Sequence, residues 1–305
     1  MLDKLLDLLN FAFRQKEYLY AIPGVIKKFF CGDFTLQRLI ASLLAICELF
    51  GGIIFDNAIT PSGDPLDLTG YELVMCDEFE GNTLNTDLWE YRASGARRSG
   101  YNAPSQVEVK NGNLYLTGEY LENGTYGEGW YAGMIALCKK YKQGYFEIKC
   151  ICNKDKGFWS AFWIQGDHPY DHYLSKGGVG SAELDIFEAM EADSFFKGTR
   201  NSVSQTIHCN GYDDDPVNID SCKLGQFKGK NIFEEYNTYG LKWTEDEYIF
   251  YVNGIETARS SFGNGVSQEE EQVIVSLEIP DSGLDFDHDY KTQFIVDYVK
   301  IWQVK

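Results

Sequence analysis

The sequence predicts an all-β fold, a jelly-roll sandwich of two antiparallel sheets, with a small helical appendage at the N-terminus. Short runs rich in β-branched and aromatic residues recur at regular intervals from residue 71 onward. No long helical pattern separates these runs, which argues against a doubly wound α/β fold. Aromatic residues make up 15% of the chain and glycines number 30, a composition that suits strands joined by many turns.

The first 62 residues differ from the rest. Leucines recur there at helical spacing, at Leu2, Leu5, Leu6 and Leu9, and a second apolar segment spans residues 39–55. That segment is short for a membrane span, and Glu48 inside it opposes insertion into lipid. Two interpretations stay open: a packed helical appendage, or a segment that contacts a membrane through residues 39–55.

The turn-rich stretch PSGDPLDLTG at 61–70 predicts a linker, and we place the domain boundary between residues 62 and 63. The domain at 63–305 contains, in order, YELVMC, NLYLTG, YAGMIAL, GYFEIKCIC, FWSAFWI, AELDIFE, VSQTIH, TYGLKW, YIFYVNGIE, VIVSLEI and FIVDYVKIW. In GYFEIKCIC, alternation predicts one shared face for Phe146, Ile148, Cys150 and Cys152. The pair Asn253-Gly254 predicts a hairpin turn.

Charge and cysteine content restrict the partners. The formal net charge of −19 would repel phosphate backbones, so we expect no nucleic-acid partner, and neutral polysaccharides become better candidates than anionic ones. The eight cysteines form no CxxC pair, which argues against a zinc cage or a redox dithiol. We interpret most of them as small buried hydrophobic residues in preference to disulfides. We expect the protein to be a monomer.

The run SAELDIFEAME at 181–191 places carboxylates inside an apolar segment. In a strand, Glu183 and Asp185 point to one face, and Leu184 and Ile186 point to the other. Strict alternation would send Glu188 to the core face, because Phe187 stands where the next acid is expected. One extra residue, a β-bulge, returns Glu188 to the face of the other two acids, and bulges are frequent beside active sites.

Three carboxyl groups on one face would repel one another and raise at least one pKa. A carboxylic acid that stays protonated beside a carboxylate that stays ionised is the arrangement used to cleave glycosidic bonds. The alternative for the isolated run is a solvated acidic strand face, since the chain has 46 acidic residues. The flanking sequence favours the catalytic interpretation.

Residues 71–305 resemble glycoside hydrolase family 16, in its laminarinase-like group with the bulged signature E-[ILV]-D-x-x-E. The resemblance rests on DEFEGNTLNTDLW (77–89), VKNGNLYLTG (109–118), FWSAFWIQG (158–166), ELDIFE (183–188), TIHC (206–209) and IVDYVKIWQ (295–303), all in the family's order. It implies a concanavalin-like jelly roll and a retaining mechanism. One departure is Ser160, where the family usually has proline.

The resemblance also implies residue roles. Glu183 matches the nucleophile, Glu188 matches the general acid and base, and Asp185 matches the residue that holds the nucleophile. His208 matches a histidine on the adjacent strand. Trp159 and Trp163 resemble cleft aromatics that stack on sugar rings.

Two further site predictions concern the rim and a metal. Trp130 precedes a predicted strand, and we expect it at the rim of the cleft as another substrate-binding residue. The resemblance implies that catalysis requires no cofactor, and that a structural calcium ion can bind the carboxylates of Glu78 and Asp297 and the carbonyl of Gly112.

The resulting expectation is an endo-acting glycoside hydrolase that cleaves internal β-linkages of a neutral polysaccharide, a β-1,3- or β-1,3-1,4-glucan. The alternatives are an endo-β-galactosidase acting on galactan or mucin-type glycans, and a carbohydrate-binding jelly roll without turnover. Because a polymer substrate does not easily enter a cell, we expect an extracellular or cell-surface location.

Overall fold

The structure, a computed structural model, describes residues 58–154, 157–166, 181–190, 201–209, 220–261 and 265–305. The predicted helical appendage, except for residues 58–62, and the apolar segment at 39–55 lie outside these residues. Within the described part of the chain, no helix is long and apolar enough to span a membrane.

The described residues form eighteen strands and one short 3₁₀ turn, at Pro104–Gln106. In chain order the strands are β1 (Tyr71–Asp77), β2 (Trp89–Tyr91), β3 (Gly95–Arg97), β4 (Gly100–Asn102), β5 (Val107–Lys110), β6 (Asn113–Gly124), β7 (Gly127–Ala132), β8 (Met134–Leu137), β9 (Gly144–Ile151), β10 (Trp159–Gln165), β11 (Glu183–Glu188), β12 (Ser202–Cys209), β13 (Asp220–Lys228), β14 (Asn237–Trp243), β15 (Tyr248–Val252), β16 (Ile255–Ser260), β17 (Gln272–Glu278) and β18 (Lys291–Val304).

These strands form two sheets, as the all-β prediction requires. The seven-stranded sheet has the order β13-β12-β11-β10-β17-β8-β2. The eleven-stranded sheet has the order β16-β15-β14-β9-β18-β6-β7-β4-β3, with β1 paired to β18 and β5 paired to β6. One strand pairing departs from the antiparallel prediction: β4 runs parallel to β7, while β3 and β4 pair antiparallel in a short hairpin.

The core lies between the two sheets. The predicted inward face of β9 is confirmed, since Phe146, Ile148 and Cys150 are fully buried in it. The hairpin turn is confirmed as well: Asn253 and Gly254 both have positive φ, 51° and 72°, which a tight two-residue connection between β15 and β16 requires.

Strand β11 carries the predicted bulge. Against β10, Asp185 pairs with Trp163 and Phe187 pairs with Phe162, so that Ile186 has no partner opposite it. The register with β12 shifts within the same stretch. Both Ile186 and Phe187 are fully buried in the core. The extra residue therefore turns two consecutive apolar side chains inward and returns the following acid, Glu188, to the outer face.

The segment before β1 is hydrogen-bonded to strands of the sandwich. The backbone N–H of Ile59 donates to the carbonyl of Gln226, and that of Leu66 donates to the carbonyl of Gly254. The domain boundary between residues 62 and 63 stays a prediction, and residues 58–62 are already bonded to β13 through Ile59.

The cysteine interpretation is partly correct. Cys150 and Cys152 are buried free thiols, as expected for small hydrophobic residues. It is wrong for Cys76 and Cys138, which are exposed. Cys76 follows the buried Met75 in β1, so alternation turns its side chain to the outer face of the sheet.

Candidate active site

A cavity of about 490 Å³ lies over the face of the seven-stranded sheet that points away from the core. Strand β10 forms its floor with Trp159, Ala161 and Trp163. The intervening residues Phe162 and Ile164 belong to the main core instead. The period-two alternation of β10 thus separates a cavity face from a core face.

Strand β11 lies next to β10 and brings all three predicted catalytic carboxyls into the cavity. Glu183, Asp185 and Glu188 line it together. Asp185 is buried, and Glu183 and Glu188 are half-buried. Without the bulge, Glu188 would point into the apolar core. The local sequence LDIF therefore assembles the site.

Each carboxyl group has a different polar neighbour. Gln165 Nε2 donates to Glu183 Oε2 over 2.6 Å. His208 Nε2 lies 3.1 Å from Asp185 Oδ2. The indole Nε1 of Trp159 donates to Glu188 Oε1 over 2.9 Å. These contacts distinguish three acids that would otherwise share one environment.

Burial raises the pKa of all three carboxyl groups. Burial is the largest cause for Glu188, whose pKa is raised to about 8, with a further increase from the Asp185 charge and a partial decrease from the Trp159 hydrogen bond. The pKa of Asp185 is raised well above its usual range by burial and by the neighbouring charges of Glu183 and Glu278. The pKa of Glu183 is also raised by burial, but the charge of His208 and the hydrogen bond from Gln165 lower it. Glu188 consequently holds a proton at neutral pH.

His208 lies where the resemblance predicted it, beside the carboxyl groups. It is the residue opposite Glu183 in the pairing of β11 with β12. Its Nδ1 shares a hydrogen bond of 2.6 Å with Ser221 Oγ. Atoms of Glu183, Asp185 and His208 lie within 4.8 Å of one another, a donor set that could also hold a divalent cation.

The two cleft tryptophans reach the cavity but offer little free ring surface. Trp159 and Trp163 are only 6% and 8% exposed. The guanidinium carbon of Arg98 lies 5.2 Å from the ring centroid of Trp159, and that of Arg92 lies 5.8 Å from that of Trp163. Both rings are therefore covered in part by arginines, which limits the predicted stacking on sugars.

The prediction for Trp130 is wrong. It lies within β7, is 7% exposed, and belongs to the core instead of the cavity lining. Its ring packs edge-on against Phe158 and Phe286, with ring centroids 5.8 and 5.9 Å away. Phe286 comes from a distant loop, so the local sequence could not reveal this burial.

The residues predicted for calcium do not fit a cation site as they are arranged. Lys300 Nζ donates to Glu78 Oε1 over 2.8 Å, and Lys149 Nζ pairs with Asp297 Oδ2 over 2.7 Å. Each carboxylate is thus neutralised by an ammonium group, and Gly112 would supply one carbonyl where calcium takes six to eight oxygens.

Sequence reasoning missed four charged residues on the cavity wall. Arg92, Arg97 and Arg98 line the cavity from the β2–β4 region, and Glu278 lines it from the end of β17. The only local signal for Glu278 was an acid inside the apolar run VIVSLEI. The arginines stand in RASGARRSG, a turn-like stretch without periodicity.

Among curated proteins, the chain is similar to endo-1,3-1,4-beta-glycanase ExsH of Rhizobium meliloti, with 29% identity over 158 residues, 50% of this chain and 30% of that protein. It is also similar to glucan endo-1,3-beta-glucosidase A1 of Niallia circulans, with 26% identity over 289 residues, 81% of this chain and 40% of that protein. The chain thus spans less than half the length of these relatives.

Solved structures share the fold. SCLam, a non-specific endo-beta-1,3(4)-glucanase, superposes with a TM-score of 0.63 at 20% identity, over 84% of this chain and 99% of that one. Porphyranase B from Zobellia galactanivorans superposes with a TM-score of 0.61 at 21% identity, over 81% and 98%. The model of the beta-porphyranase A-D GH16 domain matches residues 72–304. With the fold, the bulged carboxylate strand and this match in agreement, the chain belongs to glycoside hydrolase family 16.

Proposed function

We propose that the protein is a retaining endo-glycoside hydrolase that cleaves internal β-linkages of a neutral polysaccharide, a β-1,3- or β-1,3-1,4-glucan. The observation that carries the proposal is the bulge in β11, which brings Glu183, Asp185 and Glu188 to one cavity. The glucan preference is supported by the names of the curated relatives, an endo-1,3-1,4-beta-glycanase and a glucan endo-1,3-beta-glucosidase.

In the first step, the ionised carboxylate of Glu183 attacks the anomeric carbon. The bond to the leaving oxygen breaks, and Glu188 gives its proton to that oxygen. Burial supports this role, because a pKa of about 8 keeps Glu188 protonated at neutral pH. The hydrogen bond from Gln165 to Glu183 favours the ionised form that the nucleophile requires.

In the second step, the glycosyl ester on Glu183 is hydrolysed. Glu188, now a carboxylate, accepts a proton from water as the water oxygen attacks the anomeric carbon, and Glu183 leaves as a carboxylate. Asp185 lies between the two glutamates along the strand, and it is held by His208 at 3.1 Å. We infer that Asp185 orients Glu183, which has an oxygen within 4.8 Å of it, and that the Asp185 charge adds to burial in raising the pKa of Glu188.

The remaining features of the proposal follow from the substrate. Catalysis uses side-chain carboxyls alone, so we infer no requirement for a cofactor. A polysaccharide substrate favours an extracellular or cell-surface location. We also infer that the enzyme acts as a monomer.

A second candidate is an endo-β-galactosidase acting on galactan or mucin-type glycans. It is supported by the description of the matching family model, a beta-porphyranase. Three arginines on the cavity wall, two of them paired with carboxylates, also place positive charge in the cleft of a chain whose overall charge is −19. A third candidate, a binding module without turnover, would keep the cavity and lack the reaction.

A substrate panel separates these candidates. Reducing-sugar release is measured from laminarin, lichenan, agarose, porphyran and mucin glycans, with the native protein and with Glu183→Ala and Glu188→Ala. We expect release from laminarin or lichenan that either substitution abolishes. Release from galactans or mucin glycans alone would replace the glucan proposal by the second candidate. Binding without release from any of these substrates would favour the binding module.

A further inference from the structure

Arg97 and Arg98 form a fixed pair on the cavity wall. Arg97 binds Glu278 with two nitrogens, at distances from 2.9 to 3.2 Å. Arg98 Nε lies 3.4 Å from Glu278 Oε2, and its Nη1 lies 3.1 Å from Asp281 Oδ2. Glu278 is only 4% exposed, so one buried carboxylate holds two consecutive arginines.

The backbone at Arg98 is in an uncommon conformation. Its φ is 51°, in the left-handed region, because Arg98 is the first residue of the two-residue connection between the paired residues Arg97 and Gly100. The two ion pairs of the Arg98 guanidinium then hold the side chain that this turn presents.

The Arg98 guanidinium lies 5.2 Å from the centroid of the Trp159 ring. Trp159 is also the direct partner of Glu278 in the pairing of β10 with β17. The same indole donates from Nε1 to Glu188 Oε1 over 2.9 Å. A continuous series of contacts therefore joins Glu278, Arg98 and Trp159 to the catalytic acid.

We propose that Arg98 and Glu278 are positioning residues for Glu188, acting through the ring of Trp159. Arg98 fixes the plane of the indole, and the indole N–H then aims at one oxygen of Glu188, which leaves the other oxygen to hold the proton for the leaving group. This inference rests on the proposed role of Glu188 as general acid.

Ion pairing favours this role over direct recognition of an anionic substrate group. The guanidinium of Arg97 is bound in two places by Glu278, and that of Arg98 is shared between Glu278 and Asp281. An anionic ligand would have to compete with both carboxylates. The stacked position of Arg98 over Trp159 is instead the geometry that restrains an aromatic ring.

The test uses two substrates that differ in their need for an acid. One is the polysaccharide cleaved in the panel, and the other is a dinitrophenyl glycoside of the matching oligosaccharide, whose leaving group departs without a proton. The values of kcat and of kcat/KM, the latter covering steps through glycosyl-enzyme formation, are measured for Arg98→Ala, Arg98→Lys, Glu278→Gln and Trp159→Phe. Arg259→Ala is the matched control, because Arg259 is an exposed arginine of β16 that is paired to Glu256 and Glu247.

We expect Arg98→Ala to lower kcat/KM on the polysaccharide by roughly 10- to 100-fold, a fraction of a general acid's contribution, and on the dinitrophenyl glycoside by less than about 3-fold. Trp159→Phe, which removes the indole N–H, should also lower kcat/KM more on the polysaccharide than on the dinitrophenyl glycoside. Glu278→Gln should show the same difference more weakly. Arg98→Lys should recover part of the kcat/KM that Arg98→Ala loses on the polysaccharide. The alkaline limb of the polysaccharide pH profile should move upward in Arg98→Ala and Trp159→Phe.

Equal losses on both substrates, or unchanged values on both, would overturn the inference. A loss confined to KM, or one seen only with an anionic polysaccharide, would assign Arg98 to substrate binding and overturn it as well. The proposed function is tested separately by Glu188→Ala, which should lose polysaccharide cleavage and keep formation of the glycosyl-enzyme from the dinitrophenyl glycoside. Full polysaccharide activity in Glu188→Ala would refute the proposed function whatever the Arg98 variants do.

Discussion

Both sheets bury carboxyl groups, and the two sets differ in how their charges are satisfied. In the eleven-stranded sheet, Glu147 on β9 accepts hydrogen bonds from the hydroxyls of Tyr145 and Tyr298, over 2.7 and 2.8 Å. In the seven-stranded sheet, Glu183, Asp185 and Glu188 share one cavity, where burial and, in addition, the charges among them raise the pKa of Asp185 and Glu188.

The difference separates structure from chemistry. A buried carboxylate that accepts hydrogen bonds from two dedicated donors is not available to react with a substrate, and it stabilises the structure around it. Carboxyl groups crowded together at an open cavity hold protons that a substrate can take. Glu147 is therefore the matched internal control for the catalytic group.

The largest expected effect is on turnover. Glu183→Ala and Glu188→Ala should each lower kcat on the native polysaccharide by at least about 10³-fold, because each removes a group that reacts with the substrate. Glu147→Gln should stay within about 2-fold of the native rate. Initial-rate measurements on folded variants check this, and a loss in Glu147→Gln as large as that in Glu188→Ala would remove the distinction between the two sheets.

The next effect is on the pH profile. Glu188 must be protonated to act as an acid, and burial raises its pKa to about 8. We expect kcat/KM on the polysaccharide to fall above about pH 8, and to fall at acid pH as Glu183 is protonated. The Glu147→Gln variant should give the same profile. An alkaline limb near pH 5 would contradict the proton assignment to Glu188.

A further contrast concerns stability. Because the folded-state pKa of Glu188 is raised from its ordinary value of 4.5 to about 8, the folded state binds the proton more tightly, and this group makes the protein less stable as pH rises between these values. Glu188→Gln does not titrate. Its Tm should exceed that of the native protein by roughly 2 to 8 °C at pH 8, and the difference should shrink toward pH 4.

Glu147→Gln should show the opposite sign, since it weakens two tyrosine hydrogen bonds of about 1 kcal/mol each. Scanning calorimetry between pH 4 and pH 8 measures both variants. A pH-independent Tm difference for Glu188→Gln would show that its carboxyl does not carry the raised pKa.

The smallest expected effect is that of metal removal. Glu78 and Asp297 are paired with lysines, so EGTA or added calcium should change Tm by less than about 1 °C. EDTA should likewise leave activity unchanged, because Glu183, Asp185 and His208 act here as acids and hydrogen-bond partners. A calcium-dependent rise in Tm of several degrees would support the calcium prediction instead.

Prediction from the sequence worked where the information is local. The two-residue period of β11 and its single interruption at Phe187 were enough to predict the bulge and to bring three acids to one face. Alternation also predicted the core face of β9. These inferences needed only neighbouring residues along one strand.

It failed where partners come from distant parts of the chain. Arg97 meets Glu278 across about 180 positions, and no short pattern links them. The core position of Trp130 depends on Phe286, and Glu78, one of the residues predicted for calcium, is reached by Lys300 from a neighbouring strand. Pairings of this kind are set by sheet order, which the local pattern does not contain.

The central claim is a double displacement between Glu183 and Glu188. It is tested most directly by proton NMR of the reducing end formed first on the polysaccharide that the panel identifies, before mutarotation mixes the anomers. The account predicts that the β-anomer appears first, because two inversions at the anomeric carbon retain its configuration. Initial appearance of the α-anomer would contradict it.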